Sequence, residues 1–485
     1  LDQELVLRQA RRELFEHEVL RRPERDPRCW TGMLADATVF LLVRHDVPEA
    51  ERLAAAAARA ELLPRLARQA REALGASASS EVSPELAALA ARQAASSAIF
   101  YRDGFAASTD DPRLADELRS AGPEAAAALD ELAVFLEDLA GRATGSPRLG
   151  AHYAESFRLV TGDPRSPAEV LAAAEADLDA KLAEVVTYSR TVWPRIFRWS
   201  DPPEDDRELV RRLFDRVEAD RCTSTDELVM EYRRLIRLAE EFARRHDIVT
   251  LPDPFTVVTD RSPDYFVGQS VGGVYPAGPY APEADTLLFL PTPPSTATAE
   301  QRDALFRAFN HHFNVMIAPH EIVPGHYLQL KYAARHPRKV RAIFADGVYV
   351  EGWGTFVERL MLDEGWGRRL DRLAHLKKQL ENIARTIVDI RVHTSDVSRD
   401  EILAFVRDEA LQDEQFAANM WMRAITSSPQ LTFYYLGYRQ VRGLYDDVRA
   451  ARGEAFVLRD FTDGMMRLGP VPVSHYRRLL LDEGE

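Results

Sequence analysis

Over the first 245 or so residues, apolar and polar positions follow helical spacing. In LVMEYRRLIRLAEEFARR, Val229, Tyr232, Leu235, Ile236 and Ala239 recur every three or four residues and so share one helix face. Ala, Leu, Arg and Glu, all strong helix formers, dominate this half. Start signals recur as well. Ser83-Pro84-Glu85 and Ser166-Pro167-Ala168-Glu169 set an N-cap serine before a first-turn proline, and Ser224 with Glu227 makes a further capping box. The alanine-rich run AERLAAAAARAELLPRLARQAREAL keeps no strict heptad and is interrupted by Pro64. It predicts packed antiparallel helices without an internal repeat.

The pattern changes near residue 250. From Leu251 to Ser295 the chain is rich in Pro and Gly, with short β-type runs in PFTVVTD, DYFVGQSVGGVYP and TLLFLPTP. Val257, Val258, Leu287, Leu288 and Phe289 are the expected strand residues. Such a sheet serves either as a structural hairpin or as an edge for an extended substrate. Helix returns at Thr298, capped by Gln301, and runs through ALFRAFNHHFNVMIA to Pro319. A later helix, LDRLAHLKKQLENIARTIVDIRVHT, has an apolar seam of Leu373, Leu376, Leu380, Ile383, Ile387 and Ile390. The expected fold is mainly α with a small sheet. Its parts are a helical region 1–245 and a region 246–485 holding the chemistry, as one continuous structural unit.

Composition narrows the function. The 485 residues carry a formal charge of −15, which opposes binding of nucleic-acid phosphates. Cys29 and Cys222 supply neither a disulfide framework nor a thiolate metal cluster. No apolar run is long enough to span a membrane. The expected location is the cytoplasm, with secretion or the periplasm left open because the chain begins at Leu1 and not Met. Oligomeric state is not legible.

The candidate chemistry lies in HEIVPGHYLQL, His320 to Leu330, and VEGWGTFVERL, Val350 to Leu360. Two imidazoles, an adjacent carboxylate and a downstream carboxylate are what a hydrolytic zinc site needs. His320 and His326 are six positions apart, not four, which leaves them roughly 120° apart on a regular helix. Pro324 and Gly325 offer a two-residue bulge that brings His326 back beside His320. Glu351, opening a helix near Val350, is the third ligand. Glu358, seven positions on, suits orienting a ligand histidine or is a surface carboxylate. His311 and His312 are rival ligands, ranked below these because neither has an adjacent acid.

Two further groups remain. Arg385, Asp389 and His393 recur at four-residue steps, either as an exposed Arg–Asp pair or as a polar relay facing the site. QLTFYYLGYRQVRGL presents Tyr434, Tyr435, Tyr438 and Arg439, which are either core or donors to an oxyanion.

Taken together, HEIVPGHYLQL, EGWGTFVERL, the Arg385–Asp389–His393 pattern and PQLTFYYLG resemble the domain of unknown function 885 family, a group assigned to the zincin-like metallopeptidases. The resemblance extends to DPRCW and ESFRLVTGDPRSPAEV and so covers nearly the whole chain. It implies a zincin-like helical fold with a small sheet beside the metal-binding helix, and peptidase-type chemistry. Some members carry a second histidine where this chain has Tyr327, so His326 is the only ligand there. The expectation is a zinc-dependent hydrolase, one zinc per chain, acting on a peptide or other amide. His320, His326 and Glu351 would hold the metal, and Glu321 would move the proton. Tyr434 and His393 would stabilise the oxyanion, with Glu358, Arg385, Asp389, Tyr438 and Arg439 in support. The alternatives are a hydrolase or lyase of a non-peptide metabolite, and a zincin-like binding protein without turnover.

Overall fold

The computed structural model describes residues 1–43, 46–262, 272–294 and 296–481. Helices dominate, with one three-stranded sheet among the described residues. The DYFVGQS part of the expected strand region lies outside the described residues. The chain divides into two compact units. One is Ala10–Leu149 with Ser262–Gly272, and the other is Leu1–Gln9, Gly150–Arg261 and Gly273–Glu485. The boundary expected at residue 245 is therefore not where packing changes. The composition shift there marks the onset of the sheet, whereas the helix before it shares a core with helices on the C-terminal side of the sheet. Leu228, Tyr232, Leu235 and Ala239 are buried in one cluster with Val315, Trp353 and Leu444.

The first unit is built from α1 (Pro27–Val43), α2 (Glu49–Ala60), α3 (Leu63–Gly75), α4 (Pro84–Ile99) and α5 (Pro112–Arg142). Pro64 sits in the first turn of α3, so the alanine-rich run breaks into two helices there. Ala87, Ala90, Ala94 and Ala98 of α4 and Ala121, Ala125 and Ala126 of α5 fill a common core. Small side chains let helix backbones approach closely, and burial of many methyls replaces that of a few large groups.

The second unit contains α6 (Pro167–Ile196), α7 (Asp206–Glu218), α8 (Thr225–Arg245), α9 (His311–Glu321), α10 (His326–Arg335), α11 (Gly347–Asp363), α12 (Arg369–Thr394), α13 (Glu414–Ser427) and α14 (Phe433–Arg452). Its strands are β1 (Val257–Arg261), β2 (Gly273–Tyr275) and β3 (Thr286–Leu290), in the order β1-β3-β2. β1 runs parallel to β3 with Val257 opposite Thr286, and β2 runs antiparallel with Gly273 opposite Phe289. The sheet region flanks α10: the Thr256 N–H donates to the Tyr327 hydroxyl at 3.0 Å and Lys331 Nζ donates to the Ala284 carbonyl at 2.9 Å.

α12 is enclosed on all sides. The expected seam is buried, but so are Lys378, Glu381, Arg385, Asp389 and His393. An exposed Arg385–Asp389 pair is thus not what forms. Arg385 pairs with Glu381 at 2.6 Å, while Asp389 accepts the hydroxyls of Tyr153 and Ser428, each at 2.8 Å. Burial pushes the Asp389 carboxyl up from 3.8 to about 7, against the pull of those two donors.

α11 and α14 touch at glycine. A Cβ on Gly352 would lie 2.3 Å from the Gly437 carbonyl carbon, and one on Gly437 only 2.0 Å from the Val348 oxygen. The EGWG and YYLG motifs are therefore, in part, one helix crossing.

Gly437→Ala is expected to lower stability by about 1–3 kcal/mol, the usual cost of overpacking. Gly443→Ala, on the same helix with nothing within 4 Å of its Cβ, should raise it by up to about 1 kcal/mol. Urea denaturation of both variants checks the crossing, and equal effects would refute it. For Asp389, the folded-state pKa is raised. Its stability contribution is therefore full below about pH 4 and lost as pH rises through about 7. The melting temperature of the wild type should fall relative to Asp389→Asn between pH 4 and 8, and a difference flat with pH would remove the assignment.

Candidate metal centre and adjoining cavity

α9 ends at Glu321, residues 322–325 turn, and α10 begins at His326. The six-residue spacing is thus met by a break between two helices and not by a bulge within one. A Cβ on Gly325 would stand 1.8 Å from the His320 carbonyl oxygen, so only glycine fits the turn. The Trp353 indole N–H donates to the Pro324 carbonyl at 2.8 Å and ties the turn to α11. The two imidazoles end with centroids 4.6 Å apart and planes at 78°.

α11 begins at Gly347, with the Asp346 carboxylate accepting the Tyr349 N–H at 2.8 Å. Glu351 is therefore in the second turn, not at the opening expected near Val350. One of its oxygens lies 3.8 Å from His320 Nε2 and 3.6 Å from His326 Nε2. Two ligand atoms about 2.0–2.1 Å from a tetrahedral zinc are about 3.3–3.5 Å apart, so the three atoms are spaced to share one ion after a small contraction. On the far sides of the rings, His320 Nδ1 is 2.7 Å from Glu358 Oε1 and His326 Nδ1 is 2.9 Å from Gln329 Oε1. With Nδ1–H donating to each acceptor, both Nε2 lone pairs face inward. Gly354 completes the seat: a Cβ there would come 2.7 Å from His320 Cε1, so the ring rests against the α11 backbone.

Lone pairs and an anion aimed at one buried point repel unless a cation or added protons fill it. Without a metal, protons do so. Burial alone would lower His320, but its interactions with Glu351 and Glu358 outweigh that and raise it to about 10. Burial would likewise raise Glu351, yet the two imidazoles hold it well below the ordinary carboxylate range. Glu321 borders the same space, since its charge adds to the proton affinity of both histidines.

The remaining expected residues divide. Tyr434 stands in the first turn of α14, with the Arg385 guanidinium 4.6 Å above its ring. Burial, and then the charge of Glu351, raise its phenol pKa. With Tyr438, Thr355, Gln379 and Asn382 it lines a cavity of about 240 Å³. Arg439 lies on the same cavity but is engaged with Asp177, which also accepts the Tyr435 hydroxyl at 2.8 Å. His393 is engaged by other groups. Its ring stacks on Tyr153 at 5.1 Å and its Nε2 donates to the Ala424 carbonyl at 3.0 Å, contacts that lend the expected oxyanion role no support.

Residues 1–480 match the family described as bacterial protein of unknown function (DUF885). The chain belongs to the DUF885 family. Two solved structures are similar to it. A candidate lipoprotein of unknown function from Shewanella oneidensis is 26% identical with a TM-score of 0.79, over 99% of this chain and 87% of that one. A candidate lipoprotein from Colwellia psychrerythraea is 16% identical with a TM-score of 0.77, over 93% and 79%, and shows likeness of fold. No curated protein matches the chain.

In this DUF885 chain, sequence reasoning missed Gln329, Gly354, Trp353 and His375. Gln329 was detectable, being three positions after His326 and so on its helix face. His375 was not, because it meets the site through Glu358, at 3.8 Å, from another helix.

If Glu358 orients His320, Glu358→Gln should weaken zinc affinity about 10–100-fold, the usual cost of losing such a partner. Competition with a chromophoric chelator measures it, and unchanged affinity would reduce Glu358 to a structural residue.

Proposed function

We propose that the chain is a zinc-dependent, zincin-like hydrolase of peptide or other amide bonds. The observation that supports this most is the convergence of His320 Nε2, His326 Nε2 and a Glu351 oxygen, with both Nδ1 atoms held from behind. Two imidazoles and a carboxylate suit zinc better than magnesium or calcium, which prefer oxygen donors. Zinc held by these residues would supply a Lewis acid for the scissile carbonyl and would lower the pKa of water. Glu321 takes the proton of the attacking water and passes it to the leaving amine. Tyr434 donates its hydroxyl to the oxyanion, with Arg385 over its ring holding the phenol in place. The cavity at Tyr434 receives the part of the substrate next to the scissile bond. Its volume of about 240 Å³ suits one side chain or a small amide, which keeps a non-peptide metabolite as the second reading. Both structural neighbours are described as candidate lipoproteins, and on that ground we place the reaction at the cell envelope and not in the cytoplasm.

Protein prepared without chelator should carry zinc at this seat, lost in His320→Ala and in Glu351→Ala. On a substrate found by screening a peptide library, Glu321→Gln should keep the metal and lose at least about a hundredfold in turnover. Tyr434→Phe should lower kcat by about 10²–10³ with little change in substrate affinity, while Tyr435→Phe is near normal. Zinc retained in both ligand variants, or full turnover in Glu321→Gln, would refute the assignment.

A further inference from the structure

The cavity beside Tyr434 has a polarity that the proposed reaction leaves unexplained. Part of its wall is charged, with Lys181 matched to Glu184 and Arg439 to Asp177, and both carboxylates are exposed. Thr355 of α11 and Gln379 and Asn382 of α12 line the same cavity but are at most 5% exposed. The charged residues thus form the rim and the neutral ones the floor. Thr355 Oγ1, Asn382 Nδ2 and both amide atoms of Gln379 are buried without hydrogen-bond partners among the described residues. Buried polar atoms are nearly always paired, so orphans gathered around one cavity point to a partner that a ligand brings. Which atoms are free decides what that partner is. Asn382 Oδ1 accepts from Arg385 Nη1 at 3.2 Å, so the Asn382 amide has only its donors left. Gln379 offers a donor and an acceptor whichever way its amide is turned, and the Thr355 hydroxyl serves as either.

We infer that this cavity is a specificity pocket for a glutamine or asparagine side chain next to the scissile bond, an inference that rests on the hydrolase reading above. A carboxylate offers only acceptors, leaves the Gln379 oxygen unmet and brings a charge with no free counter-charge. An ammonium offers only donors and leaves the Asn382 amide unmet. A thioether or aliphatic end satisfies none of the three, and a hydroxyl brings one atom for all of them. A primary carboxamide accepts through its oxygen and donates through its nitrogen, so it pairs with the Gln379 amide and still accepts from Asn382 or Thr355. Ile383 and Tyr438 supply apolar wall for the methylene stem. Thr355 follows Glu351 by four residues, one helical turn, so the floor of the pocket and the metal seat share α11.

Two measurements test this. Peptides differing only at the residue beside the cleaved bond are compared as substrates of zinc-loaded protein. N-acetylglutamine amide is compared with its glutamate and methionine counterparts as a stabiliser of zinc-stripped protein. Glutamine or asparagine peptides should exceed glutamate, lysine and methionine ones at least about tenfold in kcat/KM. Only the glutamine probe should raise the melting temperature. Gln379→Met and Thr355→Val remove unpartnered polar atoms with little change of shape. Each should leave the melting temperature of the ligand-free protein unchanged or higher, while the carboxamide preference falls towards parity. Cleavage without that preference, or a preference that survives in both variants, would overturn the pocket and leave the hydrolase standing. No cleavage of any peptide, with the glutamine probe still bound and its binding lost in either variant, would uphold the pocket and refute the hydrolase. Neither cleavage nor selective binding of the probe would overturn both.

Discussion

The second unit depends on how a buried electrostatic conflict is resolved. His320 and His326 turn their Nε2 atoms towards one oxygen of Glu351, where partial burial limits how far water can relieve the charge. Removing any of the three partners leaves the others unbalanced, and a buried polar group without a partner costs about 1–3 kcal/mol. Hydrogen bonds from behind prevent the rings from rotating away: Glu358, which is 1% exposed, has no water to turn to, and Gln329 is buried as well. The arrangement is stable with protons or with a cation, and the two compete for the same lone pairs.

Backbone contact sets the distances in that arrangement. Gly325 lets the turn close on the His320 carbonyl, and Gly354 lets the ring lie on α11. Gly352 and Gly437 let α14 reach α11 closely enough for Tyr434 to sense the charge of Glu351. A methyl group at any of these four positions would move a functional group by a substantial fraction of an ångström, and a metal seat tolerates only a few tenths. The glycines of PGH, EGWG and YYLG are therefore positional constraints on side chains elsewhere.

Much of this was legible in the chain. Helical periodicity, serine caps and the Pro/Gly-rich interval gave the helices and the sheet, because those signals are local. His320, His326 and Glu351 emerged from donor chemistry, and Pro324-Gly325 indicated how an irregular spacing is closed. Long-range geometry was not legible. The four-residue steps of Arg385, Asp389 and His393 imply a shared face, yet Arg385 turns to Glu381 while Asp389 and His393 both meet Tyr153, with Ser428 and Ala424 as further hydrogen-bond partners. A helix enclosed on all sides has no solvent face for an amphipathic pattern to report. The unit boundary was missed for a related reason: composition tracks local structure, whereas units are set by packing.

The cavity beside Tyr434 bears on which substrates the proposed chemistry would accept. Its charged residues are already matched, Lys181 with Glu184 at 2.5 Å and Arg439 with Asp177. What remains is neutral. The Gln379 amide, Asn382 Nδ2 and Thr355 Oγ1 are buried without hydrogen-bond partners. A charged substrate group entering here would lose hydration and find no free counter-charge, a penalty of several kcal/mol. A neutral group with both donor and acceptor atoms would satisfy the amides and the hydroxyl together while its apolar stem covers Ile383 and Tyr438. Unpartnered amides are expensive to keep in a folded core, and these stand on α11 and α12, the same helices that carry Glu351, Glu358 and His375. Thr355 thus sits one helical turn from Glu351, and under the proposed reaction a bound substrate would supply the hydrogen bonds that these groups lack.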